Sequence, residues 1–304
     1  MYPWLTDIQS QLIRLLKNGR LHHATLLQGE KGIGADVLAN ELAKSILCLG
    51  DKAPCNECKS CLLVDADSHP DLHIIQTEKT QIGVDLIRSG IEKVNKTAQL
   101  SGNKVVLINH IDRMTESASN AFLKTLEEPT QDTYMVMSSS AANRILPTIL
   151  SRCEKHQLRM PSVKQSIEYI EAKGLPIPDE ITLKAYQNSP LSYIQGLDDE
   201  GFNFTDFNQD WRHFIHSKTE TSYELSEKWK EKAEDVVNWL FTIISAQITD
   251  MLATNNQGII SLLDWQQTEL NNAKRKVQQV GVNKSVVLGH LFSSFRQHQN
   301  QSLE

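Results

Sequence analysis

Four short, mostly apolar runs recur along the first half of the sequence: ATLLQ (24–28), DLHII (71–75), KVVLI (104–108) and TYMVMSS (133–139). Each has the length of a strand, and stretches with helical periodicity lie between them. Gly34 leads into a helix whose face carries Leu38, Leu42 and Ile46 at four-residue spacing, while VDLIRSGIEKVNKTA (84–98) and ESASNAFLKTLEE (116–128) read as further helices. This alternation constrains the fold more than any other feature. Strands joined by helices pair in parallel, and a parallel sheet needs helices on both faces because its buried strands have no polar side to offer water. An α/β domain is therefore expected over the first half.

The second half is built differently. All nine prolines lie at or before Pro190, whereas four of the five tryptophans lie after residue 205. SVKQSIEYIEAKG (162–174) and EITLKAYQN (180–188) read as the helices of a small unit. Beyond residue 206 the pattern is all-helical: Val237, Leu240, Ile244, Ile248 and Met251 form an i, i+3/i+4 stripe, and VVLGHLFSSF (286–295) offers another apolar face. At 304 residues the chain exceeds what one hydrophobic core normally serves, so two or three domains are expected.

Between the first strand and its helix lies GEKGIGAD (29–36). A phosphate-cradling loop has the form G-x-x-x-x-G-K-[ST], in which the Lys meets the β/γ-phosphates and the hydroxyl residue holds Mg²⁺. Gly29 and Gly34 occupy the two glycine positions, but Ala35 stands in place of the Lys and Asp36 in place of the Ser/Thr. An Asp near a helix N-terminus can accept backbone N–H bonds where a phosphate would sit, and it repels one electrostatically. Lys31 lies too early in the loop to substitute. After KVVLI, where an ATPase needs Asp-Glu to organise Mg²⁺ and polarise water, the sequence has Asn109 and His110, with Asp112 further on. Two separate elements of ATP chemistry are thus missing from one domain.

Four of the five cysteines fall in one stretch as Cys48-x6-Cys55-x2-Cys58-x2-Cys61. Thiolates two residues apart in a tight turn can share an ion, and a fourth from the preceding helix end completes a tetrahedral S₄ set, the closed arrangement of structural zinc. His69 and His73 lie nearby but are not required. Such clustering points to metal rather than disulfides in a cytosolic chain. The N-terminus, MYPWLTDIQSQL, lacks the pattern of a signal peptide, and Val236–Ala246, with Asn238 and Thr242 inside it, is shorter than the roughly 20 residues that span a bilayer. The expectation is a cytoplasmic protein without a membrane segment. A net charge of −6 and a pI near 5.9 argue against autonomous binding of nucleic acid through a large basic surface.

Two further motifs need context. LEEP closes SASNAFLKTLEEP (117–129), an amphipathic helix with Ala118, Ala121, Phe122 and Thr125 facing inward and Pro129 as its stop. LPTILSRCEKH (146–156) carries Ser151-Arg152-Cys153. A lone Arg is usually a surface residue, but its permanently charged fork also suits stabilisation of a transferring γ-phosphate.

Together these segments, with RLHHATLLQGEKGIG (20–34), SHPDLH (68–73), IGVDLIR (82–88) and KVVLINHIDRM (104–114), resemble the delta-prime family of clamp-loader subunits of bacterial DNA polymerase III. The C-terminal third matches mainly through VGVNKSVVL (280–288). The resemblance implies an AAA+ architecture: a RecA-like base over 1–161 with an inserted zinc module at 48–61, a helical lid over 162–205, and a helical collar over 206–304 that joins subunits into a ring of five. It implies a member that neither binds nor hydrolyses ATP, acts as a rigid scaffold, and supplies Arg152 as an arginine finger to the ATP site of an adjacent gamma/tau subunit. A delta subunit is a further expected partner, and the sliding clamp and primed DNA are reached through the complex during replication. Active relatives carry in the lid an Arg that senses the γ-phosphate; here NSPLSYI (188–194) places Leu191 near that position. One alternative is an autonomous AAA+ ATPase with an atypical nucleotide loop, in which Lys31 and Asp112 substitute. Another is a zinc-dependent nucleic-acid module, although Lys52 and Lys59 sit among Asp51, Glu57, Asp65 and Asp67.

Overall fold

The computed structural model describes the whole chain except Glu78, Ser101, Lys218, Thr219, Asn255, Asn256, Gln257, Val280 and Ser302–Glu304, together with the side chains of Asn300 and Gln301. Val280, the first residue of VGVNKSVVL, and the last three residues of the expected collar thus lie outside the described residues. Two compact units are present, Met1–Pro161 and Ser162–Glu304.

The first unit runs α1 (Thr6–Lys17), β1 (Ala24–Gln28), α2 (Ala35–Leu47), α3 (Lys59–Asp65), β2 (Leu72–Ile75), α4 (Val84–Val94), β3 (Lys104–Ile108), α5 (Glu116–Glu127), β4 (Thr133–Ser139), α6 (Pro147–Leu150) and β5 (Glu154–Gln157). The five strands form one sheet in the order β2-β3-β4-β1-β5, with every pairing parallel. Successive side chains point to opposite faces, so each apolar strand feeds two cores. Leu27, Val105, Leu107 and Val136 pack with Leu12 of α1 and with Leu38, Leu42 and Ile46 of α2. Leu26, Val106, Ile108, Met135 and Met137 pack with Ile87 and Val94 of α4 and with Ala118, Phe122 and Leu126 of α5. Each such side chain, fully buried, stabilises the fold by roughly 1.5–3 kcal/mol. The fifth strand, EKHQ, was not expected from the sequence. It lies at the sheet edge, pairs with β1 alone, and buries only His156, so it carries no apolar run.

The second unit is all-helical among the described residues: α7 (Val163–Ala172), α8 (Glu180–Ala185), α9 (Pro190–Asp198), α10 (Phe204–His216), α11 (Ser222–Trp229), α12 (Ala233–Ala253), α13 (Ile259–Trp265), α14 (Asn271–Val277) and α15 (Lys284–Gln301), with a π-helical turn, Gln266–Leu270, between α13 and α14. Ile170, Leu183 and Tyr193 make a small cluster between α7, α8 and α9. A larger aromatic core gathers Trp211, Trp229, Trp239, Phe204, Phe207, Phe214, Phe292 and Phe295. Tyr186 joins them: it packs against both clusters, and its hydroxyl accepts a hydrogen bond from the Phe204 amide at 3.2 Å. The expected boundary at 205/206 falls within the first turn of α10. Arg296 of α15 donates to the carbonyls of Phe214, Ser217 and Glu220 at 2.6, 3.3 and 2.9 Å, which satisfies groups at the C-terminal end of α10. The helical stretch Ser222–Ala253 is long and apolar enough to cross a membrane by length and composition. It is longer than the apolar run read from the sequence, but Val236, Val237, Trp239, Leu240, Ile243 and Ile244 of α12 are buried in this unit's own core.

Candidate functional site

The glycine loop joins β1 to α2 through a tight turn. β1 ends at Gln28, the Gly29 amide donates to the Ser139 carbonyl at 3.1 Å, and Gly32 and Gly34 take φ of +80° and +88°, which side chains resist. A Cβ on Gly29 would stand 2.9 Å from Ile33 Cγ2 and 3.0 Å from Leu158 Cβ, so packing alone demands glycine there. The indole of Trp4 closes over the turn by donating to the Ile33 carbonyl at 2.9 Å. α2 then starts at Ala35, with Gly34 as its N-cap and no side-chain cap hydrogen bond. Asp36 does not accept the backbone N–H bonds expected of it: its position in the first turn is exposed, and it acts on the helix end through charge alone.

Asp36 lines a hollow of about 230 Å³ with Gln76, Thr77, Ile82, Asn109, His110 and Arg113. Asn109 Oδ1 accepts from the Ser138 hydroxyl at 3.1 Å, and the same hydroxyl oxygen accepts from the His110 amide at 3.2 Å. The end of β3 is therefore tied to the end of β4 by neutral groups. Asp112 is buried, and its carboxylate accepts from the Ser140 amide at 3.2 Å. Leu191 lies in the other unit, one residue into α9, whose N-cap Ser189 accepts from the Ser192 amide at 3.0 Å.

At the opposite end of α2, Cys48 is the C-cap, Cys58 is the N-cap of α3, and Cys61 sits in the first turn of α3. The four Sγ atoms of Cys48, Cys55, Cys58 and Cys61 lie within 4.8 Å of one another, with Cys55 and Cys61 at 3.9 Å. A tetrahedron of thiolates about 2.3 Å from zinc has edges of about 3.8 Å, so the set converges as such an ion requires. Backbone amides point at the sulfurs: Gly50 and Cys55 at Cys48, and Cys58 at Cys55, over 3.3–3.4 Å. A Cβ on Gly50 would meet Cys55 Sγ at 3.0 Å, so the turn closes tightly around the cluster. Burial pushes the Cys61 thiol up to about 12, whereas at Cys58 the amides of Cys61 and Leu49 overcome burial and bring the thiol down to about 6. A bound cation would favour the thiolate form at all four positions.

The module is braced to the sheet. The Ser60 hydroxyl donates to the Leu47 carbonyl at 2.6 Å and lies 2.7 Å from His69 Nε2, while His69 Nδ1 accepts from the Asp71 amide at 3.1 Å. Buried His69 is thereby fixed as the neutral Nε2–H tautomer, and burial lowers its pKa against the opposing pull of Asp71. It is a brace rather than a ligand. The buried Lys44 ammonium reaches both Asp65 oxygens at 2.6 and 2.8 Å and links α2 to α3.

LEEP and SRC meet in space. Leu126 is buried, and its carbonyl lies 3.0 Å from His23 Nε2; Glu127 ends α5 and forms an ion pair with Arg152 Nη2; Pro129 follows. Arg152 Nη1 donates to the Thr148 carbonyl at 2.8 Å and to the Ser151 hydroxyl at 3.3 Å. Sequence reasoning left Glu127 and His23 without roles; the signal was the wording of LEEP and RLHHA, which amphipathicity does not explain.

Over residues 4–162 the sequence matches the family described as DNA polymerase III, delta subunit. It is similar to the DNA polymerase III subunit delta' of Haemophilus influenzae, with 36% identity over 251 residues that cover 81% of this chain and 76% of that protein. The corresponding Escherichia coli subunit is 37% identical over 205 residues, covering 64% of this chain and 61% of its own length. Among solved structures, a DNA polymerase III gamma-subunit-related protein of Thermotoga maritima aligns with 96% of this chain and 99% of its own at a TM-score of 0.52 and 19% identity. At that identity the likeness concerns the fold, which is AAA+-like: a parallel sheet flanked by helices, followed by a helical region.

Proposed function

Because the chain belongs to the delta-prime family of DNA polymerase III subunits, we propose that it is a clamp-loader subunit that does not hydrolyse ATP and instead lends Arg152 to the ATP site of a neighbouring subunit. The observation that carries this reading is a glycine loop with a carboxylate, Asp36, where the phosphate-loop pattern has the hydroxyl ligand of Mg²⁺. Ala35 supplies no cation, and the Asn109–Ser138 pair supplies no acid at the end of β3. Autonomous ATPase activity would need Asp112, whose carboxylate is already engaged with the Ser140 amide.

In this reading residues 1–161 form the base, 162–205 the lid and 206–304 the collar, and the ring of five includes gamma/tau and delta subunits. The sliding clamp and primed DNA are engaged by the assembled complex, in the cytoplasm, during replication. Cys48, Cys55, Cys58 and Cys61 hold one structural zinc, which supplies cross-linking to an insertion too small for its own core. Arg152 contributes a permanent charge and N–H donors that stabilise charge developing on a neighbour's γ-phosphate.

Reconstitution with gamma/tau and delta subunits tests this. Arg152→Ala is expected to leave assembly and melting temperature intact and to lower clamp-dependent ATPase and clamp loading. Trans-acting arginines are worth on the order of 10³–10⁵ in rate at their own site, so the loss in total turnover is partial, with the other sites still working. Unchanged loading removes Arg152 from the mechanism, and micromolar Mg²⁺-ATP binding by the isolated chain refutes the non-hydrolysing reading.

A further inference from the structure

Among the described residues, Glu127 is the one acidic side chain that meets Arg152, and stability gives it little reason to do so. The two side chains are 36% and 48% exposed, Arg152 first, and ion pairs at such exposure typically contribute about 0–1 kcal/mol. The backbone on both sides of the pair is already fixed without it. Leu126 and Cys153, the residues next to Glu127 and Arg152, are buried in one core cluster together with Ile149 of α6. The undetermined quantity is the direction of the Arg152 side chain, which has several free torsions when exposed.

Glu127 and Thr148 remove that freedom. A guanidinium has five N–H donors. Nη1 is committed to the Thr148 carbonyl and the Ser151 hydroxyl, and Nη2 is ion-paired with Glu127. Nε–H meets no protein acceptor among the described residues. The side chain is thus held by Glu127 at the end of α5 and by Thr148 and Ser151 of α6 and its cap, while Nε–H stays available to an outside anion.

We propose that Glu127 is a positioning residue that orients Arg152 in the free chain, so that its remaining donor is presented to a phosphate held by the neighbouring subunit without a search at the moment of reaction. This rests on the trans-acting reading of Arg152. The expected cost of Glu127→Gln, which keeps size and polarity but removes the charge, is about three- to tenfold in the arginine-dependent part of turnover, with the KM for ATP unchanged.

Two measurements separate the ideas. In the isolated chain carrying ¹⁵N-labelled arginine, Arg152 should show slowed rotation about its guanidinium bonds; Glu127→Gln should speed this rotation, leaving only the hold of Thr148 and Ser151, while the melting temperature stays within about 2 °C. In the reconstituted complex, Glu127→Gln should lower kcat, and the double variant Glu127→Gln/Arg152→Ala should equal Arg152→Ala alone, since a positioning residue has nothing left to position. Guanidinium dynamics unaltered by Glu127→Gln overturn the proposal. So does turnover that falls with Arg152→Ala but not with Glu127→Gln, and so does turnover that rises with Glu127→Gln, the mark of a restraint that must be released. Turnover indifferent to Arg152→Ala defeats the parent reading instead, and the labelled chain then still decides whether Glu127 orients the side chain.

Discussion

At its N-terminal end α2 emerges from a glycine loop in which Ala35 and Asp36 stand where the phosphate-loop pattern has Lys and Ser/Thr; at its C-terminal end Cys48 opens a cluster in which all four thiols are present and converge. One helix therefore joins a glycine turn lacking the Lys and hydroxyl of the phosphate-loop pattern to a converging set of four thiols. The difference teaches what a glycine motif does and does not report. Gly29 is demanded by Ile33 and Leu158 whether or not a nucleotide binds, so the turn testifies to packing. Four converging sulfurs, with only Cys61 fully buried, are a donor set that could hold a metal ion rather than a packing device.

The largest expected effect lies at the C-terminal end. Protein purified without chelator should carry about one zinc per chain, and Cys58→Ser should lose it outright, with early proteolysis between residues 48 and 68. Full metal retention in that variant would break the comparison. At the N-terminal end, Gly29→Ala should destabilise the isolated chain by about 1–3 kcal/mol in urea denaturation, as overpacking does, with no nucleotide present. A neutral result would mean that the loop owes its shape to something other than Ile33 and Leu158.

The brace at Ser60 predicts a pH effect. Burial places the His69 pKa below its ordinary 6.5, so the folded chain binds fewer protons than the unfolded one. Its contribution is complete above about pH 6.5 and is lost as pH falls through the lower folded value, at up to about 1.4 kcal/mol per pH unit for one proton. His73 and His156 are shifted the same way by burial, so acid should weaken the sheet unit through several groups, and His69→Gln should flatten the acid limb of the melting curve without abolishing it. An unchanged slope would remove His69 as a brace. The smallest effect belongs to Asp36→Asn, which should cost about 0.3–1 kcal/mol at low ionic strength through the helix dipole and almost nothing in high salt. A larger, salt-independent loss would mean that Asp36 makes a bond rather than a field.

Much of this was legible in the sequence because it rests on periodicity or spacing. The four strands are continuous, mostly apolar runs, the α2, α4, α5 and α12 faces repeat at 3.6 residues, and Cys-x2-Cys-x2-Cys fixes its own geometry. β5 was not legible, since an edge strand with the sequence EKHQ shows no apolar period. The Asp36 bond was expected and did not form, because the cap position is Gly34 and the carboxylate stands in the turn beyond it. Glu127–Arg152 and His23–Leu126 join residues far apart in the chain through single contacts, and one sequence holds no signal for the distance between them. Tyr186 was invisible for the same reason: a tyrosine near a helix end does not announce that it will pack against two clusters.

β1 lies between β4 and β5, so the first strand of the sheet finds both of its neighbours only after residue 133. Pairings of such long sequence separation form late in folding, because the loop entropy must be surrendered before the contacts repay it. The cysteine cluster closes entirely within residues 48–61 and has no such delay. A refolding chain given zinc should therefore capture metal in a faster kinetic phase than the one in which its sheet closes, and the order of the two phases is set by strand topology rather than by the strength of either interaction.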